Sequence, residues 1–89
     1  MNTTLIWLDA AEAEFLRSYL AARAAGHATL FTRVAAQIER RLETDPSGAG
    51  ESRAGHQRIM FESPLTLEYE VHAEQRVVII TRVRYTPPR

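Results

Sequence analysis

The chain contains no cysteine and no lysine. The first absence removes disulfides, thiol nucleophiles and cysteine-ligated zinc together. Its three histidines, His27, His56 and His72, have no close metal-ligand spacing, so neither a metal site nor any other cofactor is expected. No stretch approaches eighteen uninterrupted apolar residues, and the N-terminus lacks the basic, then apolar, then small-residue order of a secretory signal. The expectation is a soluble, cytoplasmic protein with no membrane partner. The formal net charge is zero, which argues against a domain that coats nucleic acid non-specifically, since such domains are strongly basic. With lysine absent, all eleven basic residues are arginine, whose planar fork suits phosphate and carboxylate better than a point ammonium does.

What is present is an ordinary globular balance: 45% apolar and 25% charged residues over 89 positions, enough for a single domain spanning 1–89 with one core. Thr3-Thr4-Leu5-Ile6-Trp7-Leu8 is β-branched and aromatic and reads as a short strand. Asp9-Ala10-Ala11-Glu12 has the order of a capping box and opens a helix running to about Ala25, with Phe15, Leu16, Tyr19 and Leu20 as its apolar stripe. Gly26 supplies the left-handed backbone that ends helices. A second helix runs from about His27 to Thr44, with Phe31, Val34, Ala35, Ile38 and Leu42 at three- and four-residue steps. Its arginines, Arg33, Arg40 and Arg41, read as a solvated face. The short link between the helices predicts an antiparallel hairpin.

Residues 45–52, from Asp45-Pro46 to Glu51-Ser52, read as one loop. Its Gly48-Ala49-Gly50 lacks the Lys-Ser/Thr ending of a phosphate loop and follows a helix, not a strand, so the phosphate-loop reading fails. From His56 the period changes to two. Ile59 and Phe61 alternate with Arg58, Met60 and Glu62, and Ser63-Pro64 permits a tight reversal. Leu65, Leu67, Tyr69 and Val71 then alternate with Thr66, Glu68, Glu70 and His72, one face buried and one wet. After Ala73-Glu74-Gln75, a last strand from Arg76 to about Tyr85 carries Val77-Val78-Ile79-Ile80, apolar on both faces. The order is β-α-α-β-β-β, an α+β pattern with an N-terminal helical hairpin on an antiparallel sheet. The expected core is Trp7, Leu16, Leu20, Phe31, Val34, Ile38, Phe61, Leu67, Tyr69 and Ile79. Val78 and Ile80, on the opposite face, would then be free for a partner strand or helix.

That order, with certain residues, resembles the RelE/ParE superfamily of bacterial toxins. Leu5-Ile6-Trp7 followed by Ala11-Glu12-Ala13-Glu14-Phe15-Leu16 is similar to the family's opening strand and A-x-x-E-L helix. Leu42-Glu43-Thr44-Asp45-Pro46 through Gly50 resembles its L-x-x-x-P exit from the second helix. Pro64-Leu65-Thr66-Leu67-Glu68-Tyr69-Glu70-Val71 with Arg76 through Val83 resembles its hydrophobic-x-Tyr-x-Val hairpin. The resemblance implies a growth-inhibiting toxin of a type II toxin–antitoxin pair, held inactive by a cognate antitoxin protein. It implies one of two mechanisms: ParE-like binding of gyrase, or RelE-like cleavage of mRNA on the ribosome. A non-toxic binding domain sharing the fold is the third reading.

For the nuclease, the candidate residues are Arg58, Arg82, Arg84, Tyr85 and His56, with Arg53 nearby. Convergent guanidiniums would stabilise charge on the scissile phosphate, and His56 or Tyr85 would move a proton. Each has a plainer role available: Tyr85 closing the core at its rim, Arg82 and Arg84 pairing with Glu68 or Glu70, His56 lying in a loop. Where RelE-like nucleases often carry an arginine just before the L-x-Tyr-x-Val strand, this chain has Thr66, which supplies no charge. The residues thus favour inhibition by binding, and leave strand order and oligomeric state open.

Overall fold

The computed structural model describes residues 3–87. Its elements are β1 (Thr4–Trp7), α1 (Asp9–Ala24), α2 (Ala28–Thr44), α3 (Pro46–Ala49), β2 (Glu51–Ser52), β3 (Gln57–Glu62), β4 (Leu65–His72) and β5 (Val77–Tyr85), with one 3-10 turn over Ala73–Gln75. The segment 45–52, expected as a loop, thus forms a short helix and a short edge strand. Asp45 accepts a hydrogen bond from the Gly48 N–H at 3.2 Å, and Pro46 stands in the first helical turn, where its missing N–H costs nothing. The sheet has five strands in the order β1-β5-β4-β3-β2. β1 runs parallel to β5, and the other pairings are antiparallel. Among the described residues, no helix is long and apolar enough to cross a membrane.

The capping box does not form. The helix already includes Asp9, and Leu8 stands at the N-cap without a side-chain bond. At the other end Gly26 does close the helix, at φ +82°, with the His27 N–H donating to the Ala22 carbonyl at 2.7 Å. α1 meets the sheet through small residues, Ala11, Ser18 and Ala22, all buried. Small side chains let the helix axis approach β5 closely, and Phe15 and Tyr19 then turn sideways onto Phe31 of α2, with ring centroids 5.2 and 5.7 Å apart. Leu16 and Leu20, expected in the core, are instead 59% and 43% exposed. α2 follows its sequence pattern, burying Phe31, Val34, Ala35, Ile38 and Leu42.

Two irregularities set which strand residues face the helices. The two-residue Ser63-Pro64 link, containing a cis peptide bond, pairs Met60 with Leu67 and Phe61 with Thr66. Because β4 turns Leu65, Leu67, Tyr69 and Val71 inward, Met60 must be inward too, and Phe61 outward. Met60 is 2% exposed and Phe61 60%, reversing the expectation for Phe61. In β5, Thr81 is an extra residue: Glu68 pairs with Arg82 while its neighbour Tyr69 pairs with Ile80. The bulge re-phases the strand, so Val78, Ile80 and Val83 are all buried with Tyr85 packed beside them, while Val77, Ile79, Arg82 and Arg84 share the opposite face. Ile79 is therefore only half-buried, and Val78 and Ile80 belong to the core instead of a partner surface. Among the described residues no helix covers that opposite face. Its side chains, which include Ile6, Ile59, Phe61, Glu68 and Glu70, are half-buried or exposed.

The hairpin register yields a paired test. Met60→Ala is expected to cost roughly 2–5 kcal/mol, the range for emptying a packed site. Phe61→Ala should stay within about 0.5 kcal/mol of the parent, as an exposed substitution does. Urea unfolding of both variants decides it. Equal losses would mean that the register is wrong.

Candidate functional site

The five candidate residues do not gather at one point. Arg58, the second residue of β3, lies on the helix-facing side, opposite Tyr69. Its guanidinium donates to the Gly50 carbonyl at 2.7 Å and to Ser52 Oγ at 3.4 Å, so it clasps the α3–β2 segment to the sheet. Its Nε is buried without a partner. The Tyr69 hydroxyl completes the clasp by donating to the Pro46 carbonyl at 3.2 Å. A side chain at Gly50 would collide with this arrangement, since a Cβ there would lie 2.5 Å from the Tyr69 hydroxyl and 2.6 Å from the Ile59 carbonyl. Glycine is required at that crossing for lack of room.

Burial pushes the Tyr69 hydroxyl above its ordinary range, partly offset by the neighbouring Arg58 guanidinium. A raised folded-state value means that this contribution to stability is fully present below the unfolded value near 10 and is lost as pH rises through the folded value. Tyr69→Phe is accordingly expected to lose about 1 kcal/mol at neutral pH through the hydrogen bond. It should also flatten the alkaline limb of the stability curve. Thermal unfolding from neutral to strongly alkaline pH measures both, and an alkaline limb unchanged in the variant would remove Tyr69 as its source.

Arg82 and Arg84 lie on the open face of β5, across from Glu68 and Thr66. Arg82 reaches Glu14 at 3.7 Å and Glu68 at 4.0 Å, long contacts for a side chain 52% exposed, and such pairs contribute little. Arg84 is exposed and has no ion-pair partner among the described residues. Glu14 has a more specific task. β1 pairs with β5 only from Val77 to Ile80, so the remainder of β5 is an open edge. The Glu14 carboxylate fills it, accepting a hydrogen bond from the Val83 N–H at 2.9 Å. Tyr85, on the helix-facing side, packs on Phe31 and shares a 3.0 Å hydrogen bond with His27 Nδ1. It closes the core at its rim.

His56 lies apart from the β5 residues, stacked on His72 with ring centroids 4.8 Å apart. His72 Nε2 lies 3.0 Å from the Glu70 carboxylate. These rings border an open cleft of about 510 Å³ whose lining includes Ser47, Arg58 and Glu74. Imidazoles beside a carboxylate can exchange protons, but only Arg58 among the candidate guanidiniums reaches the cleft. Arg82 and Arg84 stand on the other side of the sheet from Arg58, and the three do not gather at one point. Arg53, exposed in the β2–β3 link, joins neither group. No group of three histidine, aspartate or glutamate side chains suited to a metal ion occurs among the described residues. His72 and Glu70 escaped the sequence reading because their pairing with a loop histidine depends on how the β2–β3 link folds back beside Val71.

No family model matches the chain, and no curated protein matches it. Solved structures do. One is a chain of the chromosomal ParDE TA system from P. aeruginosa, with a TM-score of 0.69 at 16% identity, covering 96% of this chain and 97% of that one. Another is a chain of the toxin–antitoxin complex RelBE2 from Mycobacterium tuberculosis, with a TM-score of 0.73 at 18% identity, covering 96% of this chain and 92% of that one. What is shared at such identities is the path of the backbone. With its helical hairpin laid on one side of a mostly antiparallel five-stranded sheet, the chain has the α+β fold of the RelE/ParE type.

Proposed function

We propose that the protein is the growth-inhibiting toxin of a type II toxin–antitoxin pair, acting in the cytoplasm in the ParE-like manner by binding gyrase. The pair is supported by the two structural neighbours, both chains from toxin–antitoxin systems. It is supported too by exposed apolar side chains on the helices and on the open sheet face, surface that a co-expressed antitoxin would cover. The observation that carries inhibition by binding is the dispersal of the guanidiniums. Arg58 is engaged by Gly50 and Ser52 on one side of the sheet, while Arg82 and Arg84 lie on the other. Cleavage of a phosphodiester needs several positive donors within reach of one phosphate. This chain offers a surface instead.

One observation favours the RelE-like alternative, a ribosome-dependent mRNA endoribonuclease: the stacked His56 and His72 with Glu70 beside the Arg58 cleft. Those groups can transfer a proton, yet they carry one guanidinium where the phosphate charge calls for two or three. The deciding experiment is induction of the protein in bacteria with parallel readouts of gyrase supercoiling and of mRNA 5′ ends on ribosomes. A supercoiling block with intact mRNA is expected. New codon-phased ends would assign the nuclease, and neither effect would leave a non-toxic binding domain of this fold.

A further inference from the structure

β1 is the outermost strand of the sheet, and among the described residues its outer edge is bare. The Thr4 and Leu8 N–H groups donate to the Arg76 and Ile80 carbonyls at 2.9 and 3.1 Å. In a parallel ladder alternate residues bond the same neighbour, so the N–H and C=O groups of Leu5 and Trp7 point the other way, where no strand lies. Native edges are guarded by charge, proline or brevity. The far edge of the sheet is guarded so: β2 is two residues long and carries Glu51. The near edge is not. Thr3-Thr4-Leu5-Ile6-Trp7-Leu8 has no charge and no proline, and Ile6 and Leu8, on the open side of the sheet, are 44% and 45% exposed.

On the helix side this edge is flanked by negative charge. α2 ends beside β1, where the Thr3 N–H donates to the Glu43 carbonyl at 2.9 Å and Glu39 lines the same small pocket as Trp7. Four residues apart, Glu39 and Glu43 share one flank of α2. Asp9 and Glu12 follow in the first turn of α1, just beyond Leu8. None of these four carboxylates has an ion-pair partner among the described residues. Two guanidiniums adjoin them in the chain, Arg40 beside Glu39 and Arg76 before β5, which leaves the surround net negative. Arg17 stands two turns further along α1, about 12 Å from its start.

We infer that the β1 edge is a docking site for an extended segment of a partner protein, added to the sheet as a sixth strand. That segment carries basic side chains on its helix side and aliphatic ones on its open side. The main-chain groups of Leu5 and Trp7 supply the hydrogen bonds, and alternate side chains supply the selectivity. The spacings agree. Same-side residues of a strand are about 6.7 Å apart, and the turn from Glu39 to Glu43 rises about 6 Å. Two basic residues at alternate positions therefore each meet a carboxylate, while the residue between them lies against Ile6 on the open side. A second copy of this chain fits poorly. Pairing β1 with β1 about a two-fold axis sets both α2 helices on one side of the sheet, acidic flank to acidic flank. The inference does not rest on the toxin reading.

The chain has a single tryptophan, and it lies on this strand, so Trp7 fluorescence reads the site directly. The probe is a peptide of about eight residues alternating arginine and valine, blocked at both ends and titrated into the purified full chain. A dissociation constant on the order of 100 µM is expected. The Leu5 and Trp7 amides should shift most in NMR spectra and gain protection from hydrogen exchange. A peptide alternating glutamate and valine should bind at least about tenfold more weakly. Methylating the peptide nitrogens that face β1 should abolish binding, because it removes the donors to the Leu5 and Trp7 carbonyls. Glu39→Gln with Glu43→Gln should weaken the arginine peptide about fivefold, the scale of two exposed ion pairs. No binding at about 1 mM, well above that constant, would overturn the inference. Equal binding of the glutamate peptide, indifference to methylation or an unweakened double variant would overturn it as well. So would protection of the Leu5 and Trp7 amides that grows with protein concentration alone, which would assign the edge to a second copy.

Discussion

Phe31→Ala is expected to lower the free energy of unfolding by about 3–5 kcal/mol, the range for truncating a buried aromatic. Phe31 is 1% exposed and sits where three aromatic rings converge on it: Phe15 and Tyr19 from α1, and Tyr85 from the last strand at 6.3 Å. These contacts explain why the expected cost lies above that of Ile38→Ala, a buried aliphatic of the same helix, for which roughly 2–5 kcal/mol applies. Losing the ring leaves a cavity that small neighbours cannot close, since α1 already rests on the sheet through Ala11, Ser18 and Ala22. It also unseats Tyr85, whose hydroxyl is held by His27. Domains of this size are stable by only about 5–15 kcal/mol, so the variant should show a large fall in its urea midpoint. An unchanged midpoint would remove Phe31 from the centre of the core.

Element type and order were legible wherever a period repeated. α2 shows its face at five positions, and β4 alternates without interruption through eight residues. What escaped was the facing of elements whose pattern is broken by one residue. Strict alternation in the last strand puts Ile79 with Val83 and Tyr85, and leaves Val78 and Ile80 with Arg82 and Arg84. The Thr81 bulge lets the strand bury both Val78–Ile80 and Val83–Tyr85 while keeping the arginines out. The Thr81 hydroxyl donates to the Glu68 carbonyl at 3.1 Å within this irregularity, and a threonine in a strand carries no signal of such a role. Phe61 misled for a related reason. Size made it look more buried than Met60, but register across the two-residue Ser63-Pro64 link decides facing, and register follows β4.

The sequence showed less of the candidate site. It suggested arginines at positions 58, 82 and 84 as a group, but grouping depends on which sheet face each occupies, and the bulge controls that for two of them. The plainer roles weighed for Arg82 and Tyr85 match the geometry: Arg82 lies beside Glu68, and Tyr85 closes the core rim. Arg58 as a clasp was not visible, because its acceptors are a backbone carbonyl and a serine in a segment whose conformation depends on α3. Glu14 bonding the open edge of β5 was equally hidden, since that contact spans 69 positions and exists only because β1 is short.

The same dispersal of arginines sets the second large effect. On induction in bacteria, gyrase supercoiling should fall to a small fraction of its uninduced level while ribosome-bound mRNA stays intact. Alanine at Arg82 or Arg84 should leave that inhibition within about threefold of the parent, the scale of losing one exposed charge contact. A nuclease would behave otherwise. There each guanidinium would stabilise the same developing charge, and removing one would lower the rate by roughly 10²–10³. Arg58→Ala is the less discriminating variant, because it also releases the α3–β2 segment from Gly50 and Ser52 and so lowers stability whatever the mechanism. Arg82 and Arg84 are free of that ambiguity, being exposed and engaged at most by long surface pairs. If either alanine variant abolished toxicity and codon-phased mRNA ends disappeared with it, binding alone would no longer account for inhibition. The open face of the sheet would then have to bring a phosphate to Arg82 and Arg84 without Arg58, with Thr66 opposite Arg84 contributing a hydroxyl in place of a charge.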